Sequence, residues 1–292
     1  MANYPITLEE GKGGHHTLLF RRIVAYTVLI LVCFICVFPF ITLLVSTTKD
    51  TATLKTTFTL IPGGDFMRNF SNAISETKVD VVHSMLNSFI VAAVSCVSSV
   101  YIATLTEYGI YAYNFRLKKA AFVFIMAILM VPPQVSALGF VDMMDAWEMK
   151  ESFIPLIFPT LASPASFFFV KQYMENSLPL EIVEAGRIDG GHEFYIFNFV
   201  VMPILKPALA VQLIFQFVTS WNSYFLPQFL LDNSSPNATL PLVVASLQAE
   251  AYLTDLGEVY MILGFAIIPL IVVYLCLSKF IIRGVALGSV KG

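Results

Sequence analysis

The stretch Leu178-Pro-Leu-Glu-Ile-Val-Glu-Ala-Gly-Arg-Ile-Asp-Gly-Gly-His192, continuing through Glu193 to Met202-Pro203, decides how this chain is read. It is polar, and long apolar runs lie on both sides of it. Pro179 and Glu181 suit a helix start: proline in the first turn forfeits no hydrogen bond, and an acid there meets the positive end of the helix dipole. Asp189-Gly190-Gly191 reads as a sharp turn. A second helix should follow, with Phe194, Phe197 and Val201 at i, i+3 and i+7. Pro203 and Pro207 are expected to end it. The reading is a helix-turn-helix, spanning about 174–206, held at one end of an apolar bundle.

Outward from this stretch, charge punctuates the chain cleanly. Six runs carry no Asp, Glu, Lys or Arg: those between Arg22 and Lys49, Ser84–Thr106, Ala120–Val141, Ser152–Val170, Pro207–Leu231 and Val259–Ser278. They are 19 to 26 residues long, and about 20 helical residues cross a hydrocarbon core. Backbone polar groups in lipid must be satisfied within the segment, so the runs predict an all-α protein with six transmembrane helices. Composition agrees: of 292 residues, 57% are hydrophobic and 13% charged, about half the charge of a soluble domain. Mean hydropathy is +0.77. Prolines at 39, 132, 133, 155, 159, 164, 227 and 269 favour kinks within the runs. The stretch from Asn233 to Ala249 is uncharged but rich in Asn, Ser and Pro, and reads as a loop.

With six spans both termini share a side. If that side is the cytosol, 12 of the 17 Lys and Arg lie inside and 5 outside, as the positive-inside rule asks. The helix-turn-helix then faces the cytosol, between a cytosolic arm (1–22) and a cytosolic tail (284–292). Outside lie the loops Thr47–His83, Asp142–Glu151 and Asp232–Glu258. The last has no Lys or Arg, and its length suits a partner contact. The second has an apolar face, Met143, Met144 and Trp147, that would lie at the membrane surface.

The chemistry that is absent narrows function. No GxxxxGK[ST] phosphate loop, HExxH pair or Ser/His/Asp set occurs. Cys33 and Cys36 have CxxC spacing but lie in an apolar run, where a thiolate finds no support. A net charge of −3 gives no hint of nucleic acid. With no ionisable group inside the runs, ion-coupled transport and intramembrane catalysis are both disfavoured. Energy would have to arrive from elsewhere, through a docking element.

The quoted stretch also carries a resemblance. Glu184-Ala185-Gly186, three residues, Gly190, nine residues and Val200-Val201-Met202-Pro203 closely resemble the "EAA" signature of permease subunits in binding-protein-dependent ABC importers, with Gly186, Val200 and Met202 as small or apolar departures. Trp221-Asn222, Tyr224-Phe225 and Pro227 resemble a segment of carbohydrate permeases. The end of the chain, Arg283-Gly284 to Gly288-Ser289-Val290-Lys291-Gly292, is similar to the tail of the second, six-span permease of maltose-type importers.

The resemblance implies a bacterial cell-membrane subunit without enzymatic activity of its own. A second homologous permease, two ATPase subunits, an extracytoplasmic solute-binding protein and a sugar would be its partners. ATP and magnesium would bind the ATPases, and this chain would bind no cofactor. Glu184, Ala185, Gly186, Asp189, Gly190, Phe194, Phe197 and Pro203 would couple the bundle to the ATPase. Glu184 would pair with a nearby base or backbone donor, and Gly186 would loosen its turn. Trp221, Asn222, Tyr224 and Gln228 combine rings with amide and hydroxyl groups; the first, third and fourth would share one helical face on a sugar path. Alternatives are the same machinery moving a glycerophosphate, a polytopic membrane enzyme, or a scaffold or channel.

Overall fold

Residues 13–75, 80–249 and 255–288 are described by the computed structural model, with side chains placed from 19 to 280 within them. The first twelve residues, the last four and positions 76–79 and 250–254 lie outside the described residues. Among the described residues there is helix and no strand. In chain order the helices are α1 (Gly13–Ser46), α2 (Thr51–Thr56), α3 (Phe66–Ile74), α4 (Val81–Ala112), α5 (Lys118–Ile128), α6 (Pro133–Ala146), α7 (Ile154–Leu161) and α8 (Pro164–Ser177). Then come α9 (Leu180–Ile188), α10 (Glu193–Ile196), a π-helical turn (Phe197–Val201), α11 (Met202–Trp221), α12 (Pro227–Leu230), α13 (Leu240–Ala249) and α14 (Leu256–Gly288).

Five helical stretches are long and apolar enough to cross a membrane, and α5 with α6 makes a sixth if that pair is counted as one span. The expected third span is broken: α5 and α6 meet at 92° across Leu129–Pro132. Pro132 caps α6 and Pro133 begins it, so the prolines start a new helix in a new direction. The fourth span, Ile154–Ser177, is interrupted without such a bend at Ser163, whose hydroxyl accepts from Ser166 N ahead of Pro164. Met144 at the end of α6 is buried and Trp147 exposed, so that segment does not present the single apolar face expected of it.

The fifth span differs most from expectation. Pro203 and Pro207 do not end the helix; it runs from Glu193 to Trp221. Proline removes an i→i−4 bond. Here the turn before Pro203 widens, Met202 N reaching back to Phe197 O, and the helix passes through as a π turn. The helix then stops at Trp221, ten residues short of the expected Leu231. The uncharged stretch after it is not a plain loop, since Pro241 sits in the first turn of α13. Asn87 of α4 donates to Pro236 O (2.8 Å) and Ala238 O (3.0 Å), and Leu240 N donates to the Ser88 hydroxyl (2.8 Å). These bonds fold α13 back onto the bundle, and Leu240, Leu242, Val243 and Leu247 are buried there.

Two large apolar cores result among the described residues, beside a small cluster of Ala103, Ile110 and Phe167. One lies around α13 and the adjoining parts of α4, α11 and α14, with Val91, Trp221, Val243 and Ile262. The other lies at the end bearing α9 and α10, with Val100, Met174, Phe197 and Leu205. The α1 helix is the exception, because the most apolar window of Leu19–Ser46 has no buried residue. Such an uncovered face suits lipid or another membrane chain.

Candidate functional site

The helix-turn-helix forms as its sequence dictates. Pro179 caps α9, Glu181 lies in its first turn and Arg187 in its last, each charge favourable to the helix dipole. The turn closes through Asp189 N to Ala185 O (2.9 Å), Gly190 N to Arg187 O (3.0 Å) and Gly191 N to Gly186 O (3.0 Å). Gly190 has φ +78°, a left-handed conformation that costs other L-residues about 1–2 kcal/mol. A Cβ at Gly190 would meet nothing within 4 Å, so the demand is on the backbone alone. Gly190→Val should therefore loosen the turn while Gly190→Asn is tolerated, because Asn adopts this conformation readily. Limited proteolysis of the folded protein would read this as faster cleavage near position 190 in the Val variant only.

The inward side of the loop is packed. Val183, Ile196, Phe197 and Val201 are fully buried against α4 and α8. Gly186 is not loose: a Cβ there would lie 3.3 Å from Ile196 Cγ1. The helix-weakening glycine makes room for the isoleucine that seals the turn. The outward side is bare, with Ile188 85%, Phe194 68% and Tyr195 57% exposed. Ala185 and Asp189 are also exposed. Of the two phenylalanines expected to couple the bundle to the ATPase, Phe194 faces out and Phe197 is buried. Glu184 is exposed and pairs with no base among the described residues, contrary to expectation.

The ionic contact that fixes the loop is Arg187–Glu193. Arg187 Nε donates to Glu193 Oε1 (2.6 Å), and Tyr108 of α4 donates to Oε2 (2.7 Å). The guanidinium lies 5.0 Å over the Tyr113 ring and reaches Ala112 O (3.4 Å). Its pKa is raised further, chiefly by the hydrogen bond to Glu193. Tyr111 donates to Leu178 O (2.7 Å), pinning the entry to α9. Neither Arg187 nor Glu193 stood out in the sequence. Opposite charges six positions apart, on either side of a glycine turn, were the available signal.

The proposed sugar residues do not share a helical face. Trp221 is the last residue of α11; it is buried, stacked on Phe217 (5.9 Å), and donates from Nε1 to Ala266 O (3.2 Å). Asn222 and Tyr224 follow in the exposed turn, and Gln228 lies in α12. Trp221, Asn222 and Tyr224 do line a cavity of about 390 Å³ with residues of α13. A larger cavity of about 690 Å³, missed in the sequence, opens between α7, α8 and α11. Gln212, Gln216 and Thr219 line it from α11, and Thr160, Ser163 and Phe168 from the opposite side. Their signal was a period of four and three through an apolar run. A small cavity of about 130 Å³ shares Thr160, Gln216 and Thr219 with the large one and Trp221 with the other. No charged residue lines any of the three.

A multi-pass helical bundle with uncharged cavities along one helix and a packed helix-turn-helix at its end defines the class: a membrane-embedded transport component. Residues 99–287 match the family described as binding-protein-dependent transport system inner membrane component, and the chain belongs to that family. Its members are transport permeases, not enzymes. Similar proteins include the arabinooligosaccharides transport system permease protein AraQ of Bacillus subtilis (strain 168), 32% identical over 70% of this chain and 72% of the relative. The lactose transport system permease protein LacG of Rhizobium radiobacter is 29% identical over 94% of this chain and 99% of its own. The sn-glycerol-3-phosphate transport system permease protein UgpE of Escherichia coli (strain K12) is 27% identical over 90% and 95%. In fold, the chain is similar to a chain in the crystal structure of a bacterial ABC transporter involved in the import of the acidic polysaccharide alginate. Their TM-score is 0.74 at 19% identity, covering 96% of this chain and 99% of that one.

Proposed function

We propose that this permease subunit carries a neutral sugar or oligosaccharide inward. The observation that supports this most is the row of largely apolar cavities along α11, whose lining includes amides, hydroxyls and aromatic rings and no charge. Amide and hydroxyl groups exchange hydrogen bonds with sugar hydroxyls, and rings cover apolar sugar faces. A glycerophosphate path would be expected to place Arg or Lys against the phosphate. Relatives named for arabinooligosaccharides and lactose favour the sugar; the one named for sn-glycerol-3-phosphate keeps the alternative in the test.

The working assembly is this chain, a second permease, two ATPase subunits that bind ATP and magnesium, and a binding protein outside a bacterial cell membrane. The loop and both termini face the cytosol, following the Lys and Arg distribution. The bare face of the loop (Ala185, Ile188, Phe194, Tyr195) meets the ATPase in the way an amphipathic helix meets a groove. Glu184 and Asp189 stand at the rim of that contact. The buried face (Val183, Ile196, Phe197), with Gly186 and Gly190, makes the loop one rigid piece with the bundle. The helix continuing through Pro203 carries its motion into α11, a rigid-body alternation with no chemical step.

Reconstituted with these partners, the complex should take up a neutral oligosaccharide in preference to sn-glycerol 3-phosphate. Gln216→Leu should lower that uptake several-fold while ATP-dependent closure persists. Preferential uptake of the phosphate would overturn the sugar assignment.

A further inference from the structure

Two charges end the second and fourth apolar runs in the sequence, Glu107 after Thr106 and Lys171 after Val170. In the fold they face each other from α4 and α8, with Lys171 Nζ 3.9 Å from Glu107 Oε1. Glu107 is fully buried, and neither carboxylate oxygen has a hydrogen-bond partner. Lys171 hydrogen-bonds Glu175 instead, one turn further along α8 and about half exposed. The same ammonium lies 5.1 Å over the Phe122 ring of α5. The nearby cation on α5, Lys118, is occupied with Tyr113 O (3.2 Å) and Tyr111 O (3.4 Å). One ammonium therefore stands between two carboxylates, and the buried one is left without a donor. Taking a carboxylate out of water without donors is costly, so this arrangement is poised to change.

Its position shows what would change it. Glu107 precedes Tyr108, which holds Glu193, and lies one turn before Tyr111, which holds Leu178 O. The α8 helix that carries Lys171 runs directly into Leu178 and α9. A push on the loop thus moves α8 against α4 at this pair. We propose that Glu107 is a positioning residue, a latent acceptor to which Lys171 transfers from Glu175 when the loop is displaced, so that it stabilises the second conformation of the bundle. The proposal rests on reading the loop as the ATPase-coupled element.

The test is ATP hydrolysis by the full transport complex in lipid nanodiscs without binding protein, where the idle state dominates. E175Q removes the negative charge that holds Lys171 in the present arrangement and should raise idle hydrolysis at least threefold. E107Q should not raise it, and E107Q/E175Q should return to the E175Q-free level. K171M should abolish the response to E175Q. A merely structural role gives changes of one sign. Equal effects of E107Q and E175Q, or an E175Q complex as quiet as wild type, would overturn the proposal. Glu175 is exposed, so the test stands even if E107Q fails to fold. If Glu193→Ala leaves hydrolysis and uptake coupled, the reading of the loop fails first, whatever E107Q does.

Discussion

Glu193→Ala is expected to reduce uptake by the assembled transporter roughly tenfold while the chain still enters the membrane. The carboxylate accepts from Arg187 and from Tyr108, so one truncation frees the turn of the loop from α4 and leaves two donors unpaired. Both charged side chains keep about a third of their surface in solvent (32% and 39%). Screening therefore holds the loss to about 1–2 kcal/mol. That is enough, because coupling energies of this size correspond to roughly five- to thirtyfold effects. Glu193→Gln keeps an acceptor for the Tyr108 hydroxyl and should be milder. Transport and ATP hydrolysis measured together on one preparation separate uncoupling from simple loss of protein. Glu184→Lys tests the other face of the loop: with no partner among the described residues to lose, it should act only by weakening ATPase attachment.

The second large effect concerns stability at the opposite end. Asn69 of α3 is fully buried, and its amide donates to Thr47 O and Lys49 O, both at 2.9 Å. Gly257 at the start of α14 packs so closely that a Cβ there would lie 2.6 Å from Asn69 atoms and from Lys49 O. Asn69→Ala orphans two carbonyls of buried residues and is expected to cost about 2–5 kcal/mol. Gly257→Val has to displace backbone, and should be at least as damaging. Thermal unfolding of the detergent-solubilised protein should show both as clear losses, with Gly64→Ala, where a Cβ meets open space, as the silent control.

How much of this was legible follows from the kind of signal. The loop was readable because its determinants are local. Pro179 fixes a cap, Gly190 a left-handed turn, and Phe197 and Val201 a buried stripe. The span count was readable from charge. What proline does was not, because the same residue starts α6 at Pro133, breaks nothing at Pro207 and opens α13 at Pro241. Only its neighbours decide. The α13 helix was hidden behind Asn, Ser and Pro because the bonds from Asn87 and Ser88 that anchor it come from about 150 positions away. The single helical face expected of Trp221, Tyr224 and Gln228 failed for a related reason. Their spacing presupposed a helix that ends at Trp221, while the larger cavity follows Gln212, Gln216 and Thr219 earlier on α11. The partner of Arg187 sat across a turn, where helical periodicity gives no guidance.

The most direct measurement of the central claim is solute uptake into proteoliposomes holding this chain with its partner permease and ATPases. A neutral oligosaccharide and its binding protein are supplied on one side and magnesium-ATP on the other. The account predicts accumulation against a gradient that needs ATP, the binding protein and an intact Arg187–Glu193 contact together. Solute passage by this chain alone, without ATP or binding protein, would contradict it.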